Sequence, residues 1–262
     1  MPQLFDNSYY NKKLKKTIDF LKKKKKVLFI TTSNRYKEEK EKPKSTILAY
    51  LMSKEIGEDK VTIIDASSLK IYNCEGNVSR ADGNQCGLKE ALLKNKEKNP
   101  SGYHRCWASY NNNDDELWKI SKELFESDAI VFFGSVRWGQ MNAYYQKLIE
   151  RLNWIENRHT TLKEDNIIKN IDAGIIITGQ NWNNENVMET QKKVFDFYGF
   201  KVPNELSWFW QYTSDDLDET KESYIKSPKK FEEIFKVKIL SLTKSIDKLR
   251  NLIREHLFSA KK

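Results

Sequence analysis

Three stretches of this 262-residue chain place hydroxyl, amide, guanidinium and glycine residues directly after short apolar runs. Each suits a different part of a polar, planar ligand. Thr31-Thr-Ser-Asn-Arg35 ends the first run, and after the charged stretch 36–44, Ser45-Thr46 opens a helical pattern. Hydroxyls, an arginine and the free N–H groups of a helix start make an anion site suited to a phosphate monoester. Gly134-Ser-Val-Arg-Trp-Gly-Gln-Met-Asn142 ends another run. Glycines on both sides of an aromatic let backbone amides approach a planar ligand, with Trp138 walling its pocket. Thr178-Gly-Gln-Asn-Trp-Asn-Asn-Glu-Asn186 offers small and amide side chains to the polar edge of a ring. Taken singly, each stretch is equally well a helix cap or a glycine- or asparagine-rich turn. Three of them at one end of a sheet are harder to explain that way.

The elements that position these stretches are legible in the hydrophobic pattern. Residues 27–32, 61–65, 129–133 and 173–178 are short, nearly continuous apolar runs, as expected of strands buried on both faces. Residues 202–209 form a weaker fifth run, whose Pro203 restricts it to a sheet edge or a strand start. Helical patterns cover 45–56, 114–126, 141–155 and 184–198. Strand and helix in alternation predict a doubly wound α/β domain with a five-stranded parallel sheet. In such sheets ligands bind beyond the carboxyl ends of the strands, where strand order reverses.

Two further helices flank this core. Residues 8–24 carry Leu14, Ile18 and Leu21 on one side and lysine on most other positions, so the helix should pack on the domain's flank. Residues 228–258 carry a long apolar stripe from Phe231 to Leu257, which must cover the chain's own core or a second subunit. The expected organisation is a basic amphipathic helical arm over 1–25, a core domain over 26–210 and a helical extension over 211–262. The connection 67–113 is far longer than an ordinary loop. Its Tyr103, Trp107 and Tyr110 favour an ordered lid.

Composition narrows the function classes. The net charge of +9 is concentrated at one end, because residues 1–26 hold nine lysines against Asp6 and Asp19. The remaining chain is close to neutral, and the arm has no arginine and only two tyrosines, so a solvated helix face is expected rather than a nucleic-acid contact. No apolar run approaches the roughly 20 residues of a membrane span, and the amino terminus does not read as a secretory signal. Cys74, Cys86 and Cys106 are an odd number in an unremarkable chain, which predicts free thiols and a cytoplasmic location. They are one thiolate short of a cubane cluster, and His104-Arg-Cys106 alone does not make a structural zinc site, so no metal is expected. Gly-x-Gly, Walker A and Gly-x-Ser-x-Gly are all missing, which argues against a nicotinamide-binding Rossmann domain, a nucleoside triphosphatase and a serine hydrolase.

Residues 26–203 resemble the NADPH-dependent FMN reductase family of flavodoxin-like proteins. Thr32-Ser33-Asn34-Arg35 with Ser45-Thr46 correspond to that family's Gly-Ser-x-Arg loop and helix start. Gly134-Ser-Val-Arg-Trp-Gly139 followed by Ile149-Glu-Arg-Leu152 corresponds at the same spacing to Ser-Pro-x-Tyr-Trp-Gly and Ile-Asp-Arg-Leu. The resemblance implies that Ser33, Arg35, Ser45 and Thr46 hold the FMN phosphate. It implies that Ser135, Val136, Arg137, Trp138, Gly139 and Gln140 line the isoalloxazine, and that Thr178, Gly179, Gln180 and Asn181 approach its pyrimidine edge. It also implies hydride transfer from NAD(P)H through FMN to a small electron acceptor, in a homodimer or homotetramer. Two residues depart from the family pattern: Ser135 stands where proline is usual, and Arg137 where tyrosine is usual. Arg137 thereby brings a permanent cation to the flavin, its substrate or the nicotinamide cofactor. The alternative is a flavodoxin-like electron-transfer or binding module without its own NAD(P)H activity.

Overall fold

The computed structural model describes residues 7–35, 42–179 and 183–211. Its elements in chain order are α1 (Asn7–Leu21), β1 (Val27–Thr31), α2 (Lys44–Ile56), β2 (Val61–Asp65), α3 (Trp107–Asn111), α4 (Leu117–Phe125), β3 (Ala129–Gly134), β4 (Val136–Arg137), β5 (Gln140–Met141), α5 (Ala143–Thr160), β6 (Asp172–Gly179), α6 (Asn184–Tyr198) and β7 (Trp208–Gln211). Five strands pair in parallel in the order β2-β1-β3-β6-β7. The chain runs outward from β1 to β2 and then crosses to the other side of β1, so the strand order reverses between β1 and β3. This is the flavodoxin-like order and the expected place for a ligand.

β1, β3 and all of β6 but Gly179 are buried along their whole length, which is why they read as unbroken apolar runs. Alternate residues feed two cores. Leu28, Ile30, Ile130, Phe132, Ile175 and Ile177 face α4, α5 and α6. Val27, Phe29, Val131, Phe133 and Ile176 face α1 and α2. α1 is held to the domain through more than its apolar stripe: Tyr10 stacks on Trp210 with ring centroids 4.9 Å apart, and Trp208 Nε1 donates to Thr17 Oγ1 at 3.0 Å.

The fifth strand begins later than the sequence pattern placed it. Pro203, with no N–H to give, starts a short 3-10 turn over Asn204–Leu206, and regular pairing resumes only at Trp208. Gly174 makes room for that turn, since a Cβ there would lie 2.3 Å from Leu206. α4 starts at Leu117 rather than 114 because Asp115 turns its carboxylate inward to Arg151. α5 continues past 155 to Thr160, where Arg158 is held by Glu164. The two-residue strands β4 and β5 have no counterpart in the sequence reading. Among the described residues no helix is long and apolar enough to cross a membrane.

The 67–113 connection is built from 3-10 turns and α3, and it is tied along α4 and α5. Trp107 Nε1 donates to Gln85 O at 2.8 Å, Arg158 Nη1 to Tyr103 O at 3.0 Å, and Arg151 Nη1 to Tyr72 O at 2.7 Å. The helix expected at 228–258 lies outside the described residues.

Candidate functional site

The carboxyl ends of β1, β3 and β6 lie side by side, and a network of side-chain hydrogen bonds joins the loops that leave them. Asn142 caps α5 by accepting from Tyr145 N at 3.2 Å, and its Nδ2 donates to Thr32 Oγ1 at 3.1 Å. Thr32 Oγ1 in turn donates to Phe133 O at 3.1 Å, and Ser33 Oγ to Ser135 Oγ at 3.2 Å. Thr178 Oγ1 reaches Gly134 O at 3.4 Å. Gly134 is required where these groups converge: a Cβ would meet Met141 Cε at 2.5 Å and Thr32 Oγ1 at 2.9 Å.

These loops enclose a small polar cleft of about 100 Å³ lined by Ser33, Asn34, Arg35, Pro43, Lys44, Ser45, Ser135, Arg137 and Thr178. Six of these residues were expected from the sequence, drawn from all three loops. Among the described lining residues stand Arg35, Lys44 and Arg137 and no carboxylate, a set suited to an anion. Its volume is that of about three waters, enough for a phosphate group and far short of a flavin ring.

Its floor is the first turn of α2. Pro43 precedes the helix and no side chain caps it, while the first N–H groups of any helix lack partners inside it. Ser45 and Thr46, each 1 % exposed, have hydroxyls with no hydrogen-bond partner. Buried hydroxyls are normally satisfied, and leaving two unmet beside a positive helix end points to an absent acceptor. Thr46 does not itself line the cleft.

The remaining expected residues are placed differently. Val136 and Met141 are buried and anchor a two-residue hairpin, β4–β5, with Arg137 and Gln140 exposed on its other face. Gly139 is buried, its carbonyl accepting from Asn183 Nδ2 at 3.0 Å. Trp138, expected to wall the pocket, is 92 % exposed and stands at the hairpin tip, because its backbone is left-handed with φ 50°. Gly179 ends β6 beside the cleft without lining it. Gln180 and Asn181, with Trp182, lie outside the described residues.

Lys44 and Asn184 escaped the sequence reading. Lys44 adjoins Ser45 in a run of lysines and glutamates and had no distinguishing signal. Asn184, the first residue of α6, is 3 % exposed and neither atom of its amide has a partner. It was one of several asparagines in its loop, and only packing singles it out.

Two buried titratable groups away from the cleft are set by their packing. His104 is held neutral, its pKa pushed down to about 3 by burial against Trp154. Burial would raise the Asp115 carboxyl, but hydrogen bonds from Arg151 and Ser109 hold it below its ordinary value. The three cysteines are free thiols, and no group of side chains able to hold a metal exists among the described residues. A larger groove of about 410 Å³ lies between α1 and α2, away from the strand ends, with Leu14, Ile18, Leu51 and Met52 on its walls.

No family model and no curated protein matches this chain by sequence. Among solved structures it resembles RosB with bound 8-demethyl-8-formylriboflavin-5'-phosphate, at 13 % identity and a TM-score of 0.50, over 88 % of this chain and 87 % of that one. An azoreductase from Bacillus anthracis str. Sterne is 16 % identical with a TM-score of 0.46, over 80 % and 97 % of the two chains. Azoreductase AzrA is 13 % identical with a TM-score of 0.47, over 84 % and 99 %. At such identities the likeness is one of fold. The parallel sheet with its reversal between β1 and β3, and the chain-long match to RosB, make this a flavodoxin-like α/β protein.

Proposed function

We propose that the chain is an FMN-dependent NAD(P)H oxidoreductase acting on a small electron acceptor. The observation that carries this reading is the buried, partnerless hydroxyl of Ser45 on the wall of a cationic cleft at the strand-order reversal, with the equally partnerless hydroxyl of Thr46 next to it in the first turn of α2. A phosphate monoester supplies the acceptors that these hydroxyls and the α2 N-terminus lack. A cleft of about 100 Å³ has room for the phosphate group. RosB, of the same fold, holds a riboflavin-5'-phosphate derivative.

In this reading Ser33, Ser45, Thr46, Arg35 and Lys44 bind the phosphate. The Ser33–Ser135 and Asn142–Thr32 hydrogen bonds keep the phosphate loop and the hairpin in register. The backbone of Val136 to Gly139, with Gln140, flanks the ring, and Thr178, Gly179, Gln180, Asn181 and the unpartnered amide of Asn184 serve its pyrimidine edge. FMN, when bound, supplies the hydride chemistry between NAD(P)H and acceptor, so the chain's residues orient and stabilise rather than exchange protons. We read the protein as cytoplasmic, consistent with three free thiols, and as a homo-oligomer.

The test is the visible spectrum of the purified protein with FMN, followed by anaerobic NADPH and then NADH. Flavin absorbance bleached by either nucleotide supports the reductase. Flavin bleached only by dithionite identifies an electron carrier instead, and a protein that retains no FMN overturns the cofactor assignment.

A further inference from the structure

The β4–β5 hairpin holds the most exposed large aromatic side chain among the described residues on one of its least comfortable backbones. Trp138 and Gly139 form its two-residue tip with φ of 50° and 68°, the double left-handed geometry for which Asn-Gly is the favoured pair. A tryptophan there gains nothing from burial, being 92 % exposed, and pays the steric cost of positive φ. Backbone strain that buries nothing is characteristic of a contact made with something else.

The hairpin is a rigid mount. Val136 and Met141 are buried beneath it, Asn142 N donates to Ser135 O at 3.0 Å, and Asn183 fastens the Gly139 carbonyl at 3.0 Å. Arg137 and Gln140 are paired across the two strands, both exposed and on the same face by strand alternation. Arg137 lines the mouth of the cleft and has no carboxylate beside it among the described lining residues. Arg35 lines the same cleft, so Arg137 adds a second guanidinium beside the phosphate position.

We propose that this hairpin is the recognition element for an aromatic electron acceptor bearing a carboxylate or sulfonate. The indole of Trp138 stacks on the acceptor's ring, the Arg137 guanidinium pairs with its charge, and the Gln140 amide donates beside it. The inference rests on the flavin reductase reading and narrows its acceptor class.

The experiment compares 1,4-naphthoquinone-2-sulfonate with 1,4-naphthoquinone as acceptors for the FMN-loaded full chain, with NADPH as donor and bound FMN checked by its fluorescence. The readout is the ratio of kcat/KM for the charged to the neutral quinone. Arg137→Glu is expected to lower that ratio about tenfold to a hundredfold, the worth of one charge-assisted contact, and Arg137→Lys to lower it less. Added salt should lower the wild-type ratio as well. Trp138→Asn is expected to lower kcat/KM for both quinones while Tm stays level or rises, because asparagine suits the left-handed tip; a merely structural tryptophan would not separate the two readouts. An unchanged ratio in Arg137→Glu with FMN retained overturns this inference alone. So does a rise confined to the KM for NADPH, which would assign Arg137 to the nucleotide phosphates. Failure of the wild type to retain FMN overturns the flavin reading and this inference with it.

Discussion

Ser33 and Ser135, 102 positions apart in the chain, share a hydrogen bond of 3.2 Å that joins the loop after β1 to the loop after β3. The bond spans the point where the strand order reverses, so the two loops that would grip opposite ends of a flavin act as one wall.

Ser45 and Thr46 have buried hydroxyls with nothing to bond. The double change Ser45→Ala with Thr46→Val should leave the Tm of the FMN-free protein level or higher, since a partnerless polar group is removed from the interior. FMN affinity should fall at least about tenfold, from the loss of hydrogen bonds to a charged phosphate. Fluorescence titration with FMN and thermal melts check the two halves. A fall in Tm would show that the hydroxyls serve the fold rather than the ligand.

Arg151 projects from α5 into the 67–115 region and holds it by five contacts: both Asp115 oxygens at 2.9 and 3.0 Å, Ser109 Oγ at 2.9 Å, Tyr72 O at 2.7 Å and Cys106 Sγ at 3.4 Å. Arg151 and Asp115 are fully buried. Arg151→Met strands a buried carboxylate and should cost about 3–5 kcal/mol in urea unfolding. Pairing it with Asp115→Leu should recover a large part of that loss, because the penalty lies in the orphaned charge.

His104 accepts or donates through Nδ1 to Ser121 Oγ at 2.5 Å and has no partner at Nε2. Burial pushes its pKa down to about 3 from an ordinary 6.5. The folded protein therefore refuses a proton that the unfolded chain takes up below about pH 6.5, and stability must fall on acidification from there toward pH 3. The slope from this one group approaches about 1.4 kcal/mol per pH unit. Melts of His104→Asn between pH 7 and 4.5 should show a shallower loss than wild type, with a lower starting Tm.

Cys86 is half-buried beside Asn153 and near Cys106 and Cys74, and burial first, then those neighbours, push its thiol up to about 12 from 9.0. Its thiolate fraction at neutral pH is thus far below that of an exposed cysteine. Iodoacetamide at pH 7.5 should leave Cys86 unmodified in the folded protein and alkylate it after denaturation, as read by mass spectrometry of the digest.

How far the sequence alone carried is seen in particular elements. β1, β3 and β6 were legible because a parallel strand covered on both faces has apolar side chains in both directions and needs no partner to be recognised. α6 matched its expected bounds because Gly199, at φ 91°, closes it with a left-handed cap that few other residues accept. Ser33, Ser135 and Thr178 could be placed at the carboxyl edge of the sheet because they directly follow buried strands, and Ser45 because it opens the next helix; that the four line one cleft is a result of the packing. What the tertiary structure alone decided were relations between distant residues. Nothing local in Ser45 or Thr46 says that their hydroxyls go unpaired, nor in Asn184 that its amide is sealed in without a partner. The inward turn of Asp115 that shortens α4 answers to Arg151, 36 residues away. Trp138, expected from the sequence to wall a pocket, is exposed because it falls at the left-handed tip of a two-residue hairpin that only the pairing of Val136–Arg137 with Gln140–Met141 creates. Local patterning reports which groups are apolar and how often they recur, whereas satisfaction, strain and exposure are properties of the whole packing and exist only once the loops of β1, β3 and β6 have met.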